Sequence, residues 1–188
     1  MTLFEYLSVA VSIVLSLSAA QILANLRAVL DPDRRYWVHA LWVLQALLVH
    51  VIYWWGFWAY RELESWNFAF FVVVLLNPGL IFICSNILVL GDRAPGISWE
   101  EHFFSVRRWF FVIWGALAVV ATVRNWLILE TPLLVLGRIP ILMTLIICIA
   151  GFHFTDRRIH GALVLVSLIS VSVAITYLWF QPGLASLR

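Results

Sequence analysis

Six apolar runs, each close to the length of a membrane-crossing helix and separated by short polar connectors, decide what this chain can fold into. They cover residues 4–26, 36–60, 68–90, 109–129, 132–152 and 159–180. A helix rising ~1.5 Å per residue needs about 20 apolar residues to cross a hydrocarbon layer of ~30 Å. Backbone groups in lipid must be satisfied within their own segment, so helices are the default there. The expected architecture is therefore all-α: a polytopic membrane protein, one compact bundle of six transmembrane helices forming a single domain over 1–188. Short connectors such as Asp31-Pro32-Asp33 make consecutive helices antiparallel neighbours.

Charge gives the runs a direction. The chain is 64% apolar and only 12% charged, too little charge to cover a water-facing surface. All twelve basic side chains are arginine. Arg27, Arg34 and Arg35 follow the first run, Arg93, Arg107 and Arg108 lie between the third and fourth, and Arg157 and Arg158 between the fifth and sixth. Alternation of this kind arises when every second loop stays in the cytoplasm, and it places both termini on the periplasmic side. The exclusive use of arginine points to a GC-rich bacterial genome, hence to the inner membrane. A cleavable leader is disfavoured, because Met1–Glu5 carries an acid and no base before the first run. A net charge of +2, spread over loops, argues against a nucleic-acid partner. Membrane lipids are the expected surroundings, with a homo-oligomer or a membrane-complex partner as a further possibility.

The third connector carries local design. Gly91-Asp92-Arg93-Ala94-Pro95-Gly96 is turn material. Ser98-Trp99-Glu100-Glu101 then fits a capping box, so a short interfacial helix is expected before the fourth span, with a simple extension of that span as the alternative. Ser8, Ser12, Ser16, Ala20 and Ala24 form a stripe of small side chains on the first helix, read as a helix-packing face. Gly115, Ala118 and Ala121 form a shorter one on the fourth, and Ser167, Ser170 and Ser172 mark the sixth. Trp37, Trp54, Trp55, Trp58, Trp66, Trp109, Trp126 and Trp179 fall where interfacial anchors belong. Tyr53–Trp58 also offers a flat aromatic wall for a quinone, pigment or sterol. Cys84 and Cys148 read as small hydrophobes, with a disulfide as the lesser alternative.

Polar groups at membrane depth are the functional candidates. Gln21, Gln45, His50 and Asn77 lie deepest, and Asn77-Pro78-Gly79 is expected to kink or unwind the third helix. Freed carbonyls at such a break can bind a solute or ion. Towards the outer face Glu5, Arg124, Glu130 and Arg138 form a charge cluster, in which Arg138 is expected to pair with Glu130 or Glu5. His39, His153 and His160 lie near the inner face and suggest haem b ligation or headgroup contacts. No metal motif, nucleophile elbow or phosphate loop points to an enzyme. No cofactor is expected, with haem b or a quinone held as alternatives.

Three functions compete. The favoured one is a small transporter or channel using Gln21, Gln45, His50, Asn77, Pro78 and Gly79. The second is a non-catalytic membrane subunit. The third is a redox or lipid-modifying subunit built on the inner-face histidines.

Overall fold

A computed structural model describes residues 2–63, 65–89, 98–129 and 139–176, and these residues are helical with no strand. The elements are α1 (Leu3–Val29), α2 (Trp37–Phe57, continued by a 3-10 turn over Trp58–Glu62), α3 (Phe68–Leu88), α4 (Trp99–Leu129), α5 (Ile139–His153) and α6 (Arg157–Ala174). Five of the helices are long and apolar enough to cross a membrane. The exception, α5, has 15 described residues, about 22 Å of helix at ~1.5 Å per residue. The expected fifth span begins, and the sixth ends, outside the described residues.

The helix starts are written in the sequence. Thr2 Oγ1 accepts from the Glu5 amide at 3.2 Å while Glu5 Oε2 accepts from the Thr2 amide at 2.8 Å. Ser98 and Glu101 make the same reciprocal pair at 3.2 Å each, as expected. Asn67 caps α3 through Phe70, and Asp156 caps α6 through Arg158 and Ile159. Of the two forms expected before the fourth span, the structure has the simple extension: Trp99–Leu129 is one helix of 31 residues. Trp99, His102 and Phe103 are buried in the bundle.

α2 is the central element, touching α1, α3, α4 and α6, while α3 lies against α1 and α4, and α5 against α4 and α6. Around α2 the core gathers Trp42, Phe103, Phe110, Phe111 and Val164, with Trp42 edge-on to Phe110, Phe111 and Trp114. The outside of the bundle is apolar too: Ile13, Val51, Trp109 and Ile169 are 55%, 66%, 68% and 64% exposed. Apolar exposure of this extent on every helix suits lipid rather than water.

The packing face of α1 differs from the expectation. Leu7, Val11, Leu15, Ser18 and Ile22 are buried, whereas Ser16, Ala20 and Ala24 of the small-residue stripe are exposed and Ser8 and Ser12 half-buried. The serines satisfy themselves inside the helix, Ser8 on Glu5 O at 2.7 Å and Ser12 on Ser8 O at 2.5 Å. The stripe on α4 does receive a neighbour, since Gly115 lies against Cys148 of α5. A tighter approach occurs at Gly151, where a Cβ would meet the Phe111 ring at 2.3–2.6 Å. Cys84 and Cys148 are buried free thiols. Trp37, Trp54, Trp55, Trp58, Trp109 and Trp126 are exposed, as lipid anchors require, and Trp66 is half-buried. Trp179 lies outside the described residues. The aromatic wall is split, because Tyr53 and Phe57 turn inward while the tryptophans between and beyond them turn out.

Candidate functional site

α1, α3 and α5 end where α2, α4 and α6 begin, so the bundle has an arginine end, carrying Arg27, Arg34, Arg35, Arg107, Arg108, Arg157 and Arg158, and an opposite end near Thr2. Between α2, α3, α4, α5 and α6 lies a cavity of about 230 Å³. Its walls are mainly apolar, and its polar contributors are Gln45, Tyr53, Asn77, Arg124 and Thr144. The small stripe of α4 creates the space: Ala118 and Ala121 face it where longer side chains would fill it.

Gln45 and Asn77 both line this cavity, and among the described residues their side-chain oxygens, Oε1 and Oδ1, are buried without a hydrogen-bond partner. The other end of the Gln45 amide is fixed, since Nε2 donates to Ser167 Oγ at 2.6 Å and ties α2 to α6. Thr144 spends its hydroxyl on Pro140 O at 2.9 Å. An unsatisfied amide oxygen in an apolar surrounding carries a desolvation cost of about 1–3 kcal/mol. A molecule that donates a hydrogen bond would relieve it.

Next to Asn77, α3 does not unwind: it remains helical from Phe68 to Leu88 with Pro78 inside it, as a helix kinked at proline also does. Proline has no amide hydrogen, so the carbonyl four residues earlier, on Val74, loses its helical donor. Tyr53 replaces that donor: its hydroxyl donates to Val74 O at 2.6 Å. Because the carbonyl freed by Pro78 is satisfied from α2, its loss of a helical donor gives α3 no reason to unwind. Nothing lies within 4 Å of a Cβ built on Gly79, so that glycine serves no close approach.

At the Thr2 end of the cavity stands Arg124, 8% exposed. Its guanidinium lies 5.1 Å from the Tyr53 ring centre and 5.7 Å from that of Tyr60. Nε and Nη2 donate to Asn125 Oδ1 at 3.4 and 3.3 Å, while Nη1 has no acceptor. Glu5, expected in the same charge cluster, is exposed and engaged in its capping box. Glu130 and Arg138, with the pairing expected for Arg138, lie outside the described residues.

The expected pathway residues therefore divide. Gln45 and Asn77 line the cavity, where Arg124 of the expected outer charge cluster joins them. His50 faces away from it, towards α1 and α3. Its Nδ1 donates to Ala46 O at 2.7 Å, which leaves Nε2 to accept from Ser18 Oγ at 2.7 Å, and Ser18 Oγ lies 2.9 Å from Ser85 Oγ. This closed polar staple pins three helices together in the core. Gln21 is half-buried on α1, and its backbone carbonyl takes the Asn25 amide at 2.8 Å.

The histidines of the arginine end have a structural occupation. His39 Nε2 donates to Leu88 O at 2.8 Å, and His102 Nε2 is shared between Ile87 O and Leu88 O at 3.0 and 3.2 Å. Both serve the last carbonyls of α3, which have no donor of their own. Trp99 Nε1 donates to Ala28 O of α1 at 2.6 Å, beside the longer Asp31 amide bond at 3.4 Å, and His160 Nε2 donates to Phe154 O just after α5 at 3.0 Å. His39 stacks on Trp99 at 4.9 Å, and His160 packs against Phe103, Phe104 and Phe111. His153 is exposed beside Phe152. Among the described residues, no three His, Cys, Asp or Glu side chains converge as a metal site would. Arg157 pairs with Glu100, and Arg107 reaches Phe154 O at 3.3 Å, closing the same end.

Ser18, Ser85, Trp99 and His102 were not legible as partners in sequence. Each is a single polar group in an apolar or interfacial run, and only the helix crossings give it a role. No family model, curated protein or solved structure matches this chain.

Proposed function

We propose that this chain is a multi-pass carrier that takes a small, mainly apolar solute into the cavity between α2 and α6. The observation that carries the reading is the cavity of about 230 Å³ with two partnerless buried amide oxygens, Gln45 Oε1 and Asn77 Oδ1. Binding sites for small molecules are apolar concavities with a few polar groups that fix orientation. The proposed setting is a bacterial inner membrane crossed six times, arginine end in the cytoplasm, so that Thr2 and the far end of α6 face the periplasm. The test is flux of labelled small solutes into proteoliposomes. Ala118→Leu and Ala121→Leu, which fill the cavity, should reduce flux to that of empty vesicles while helix content is kept. Equal flux in both variants and the unmodified chain would refute the reading.

A second reading, a non-catalytic subunit of a larger or homo-oligomeric assembly, is favoured by Ser16, Ala20 and Ala24, which leave a smooth outward stripe on α1. Ala20→Cys should then give a crosslinked dimer in membranes that Ile169→Cys does not.

A further inference from the structure

Resting on that reading of the cavity, we infer that its ligand is an organic anion, an apolar body with one carboxylate whose oxygens meet the Arg124 guanidinium. Arginine stays protonated in proteins, and a guanidinium held away from water needs an anionic or strongly accepting partner. Arg124 is more than nine-tenths buried, lines the cavity, and keeps Nη1 without an acceptor. Among the described residues it forms no ion pair. Among the described residues its contacts are two long bonds to one Asn125 oxygen, the faces of Tyr53 and Tyr60, and the Tyr53 hydroxyl nearby. These neutral groups hold the cation and its plane, but they do not neutralise its charge, and Nη1 stays unpartnered. An arginine fork is matched in shape to a carboxylate, which accepts two parallel hydrogen bonds.

The rest of the cavity sets the ligand's body. Tyr53 bonds to Val74, and Asn77 is three residues further along α3, roughly 4.5 Å inward at ~1.5 Å per residue. Gln45 is eight residues before Tyr53 on α2, roughly 12 Å deeper by the same rise. The head position is therefore cationic, the walls are apolar, and acceptors wait one and two or more turns below. A volume of about 230 Å³ holds about eight water-sized groups at ~30 Å³ each. A short-chain or aromatic monocarboxylate fits this description. A hydroxyl or amino donor on its far side would also satisfy Asn77 Oδ1 or Gln45 Oε1.

The test compares benzoate with benzamide, equal in shape and different in charge, on the full chain in nanodiscs of neutral phosphatidylcholine. Benzoate should bind at least tenfold more tightly. Arg124→Gln should remove that preference while leaving benzamide within twofold, and Arg124→Lys should restore part of it. Dodecanoate partitioned into the bilayer then separates the sources. Displacement of benzoate by dodecanoate supports a membrane-derived acid at this head site, and resistance to it supports a water-soluble one. Equal binding of both probes, abolished by Ala121→Leu, would overturn the anion assignment and leave the cavity reading standing. Binding of neither probe would overturn the assignment and count against the cavity reading as well. Benzoate binding that emerges only in Glu130→Gln would also overturn it, because Arg124 would then be neutralised within the chain.

Discussion

Tyr53→Phe removes one oxygen and isolates the reason α3 stays helical through Pro78. The Phe ring still faces Arg124, so the cation–π contact persists; the 2.6 Å bond to Val74 O is lost together with the hydroxyl's weaker contact to Arg124, which is the same in both backgrounds of the cycle below. Hydrogen bonds between transmembrane helices average about 0.6 kcal/mol and reach about 1.7 kcal/mol. The upper end applies here. Val74 is fully buried and Tyr53 is 5% exposed, so water cannot replace the hydroxyl, and Pro78 cannot supply a helical donor. The expected loss is about 1.5 kcal/mol. In a Pro78→Ala background the alanine amide returns to Val74 O, and Tyr53→Phe should then cost about 0.5 kcal/mol or less. The coupling between the two sites is thus about 1 kcal/mol, measurable by a double-mutant cycle on reversible unfolding in bicelles. Isotope-edited infrared spectroscopy of a labelled Val74 carbonyl gives a second readout: its band should rise in frequency in Tyr53→Phe alone and return in the double variant. Additive effects within about 0.3 kcal/mol, or an unmoved carbonyl band, would refute the reasoning.

Other expectations follow from single contacts. Gly151→Ala puts a methyl into the Phe111 ring and should cost about 1–3 kcal/mol, with partial rescue by Phe111→Leu in the same unfolding assay. Gly79→Ala meets open space and should stabilise by about 1 kcal/mol, the usual helix preference for alanine over glycine. Trp99→Phe keeps the stack on His39 but leaves Ala28 O only the long 3.4 Å bond from the Asp31 amide, so α1 amides near Val29 should exchange hydrogen faster. Ser18→Ala should destabilise by about 1 kcal/mol, because it leaves His50 Nε2 without its donor in the core. Impermeant thiol labelling in spheroplasts should leave Asp33→Cys unmodified and modify it in inverted vesicles, if the arginine end is cytoplasmic.

Much of the fold was legible because lipid simplifies the problem. Each apolar run becomes a helix, and the capping box at Ser98 stands where a polar side chain meets the start of a run. What failed did so for local reasons. Pro78 signals a lost donor but says nothing of the Tyr53 hydroxyl waiting on another helix. Ser16, Ala20 and Ala24 show where a helix could approach α1, not where one does; the larger apolar side chains of the opposite face won the burial. The site was half legible. Gln45 and Asn77 were identifiable as costly polar groups at depth, and Arg124 as a charge near the outer face. That they share a cavity depends on α2 meeting α6 and α4, contacts between helices far apart in sequence. His50 looked equivalent to Gln45, yet a turn of the helix directs it to Ser18 instead, and periodicity alone does not say which neighbour lies on which side.

The most direct test of the account is native mass spectrometry of the full chain released from nanodiscs after exposure to benzoate. One bound molecule per chain is expected in the unmodified protein, with none in Ala121→Leu. A chain that flies bare in both forms, or carries the same adducts in both, would contradict a ligand-holding cavity between α2 and α6.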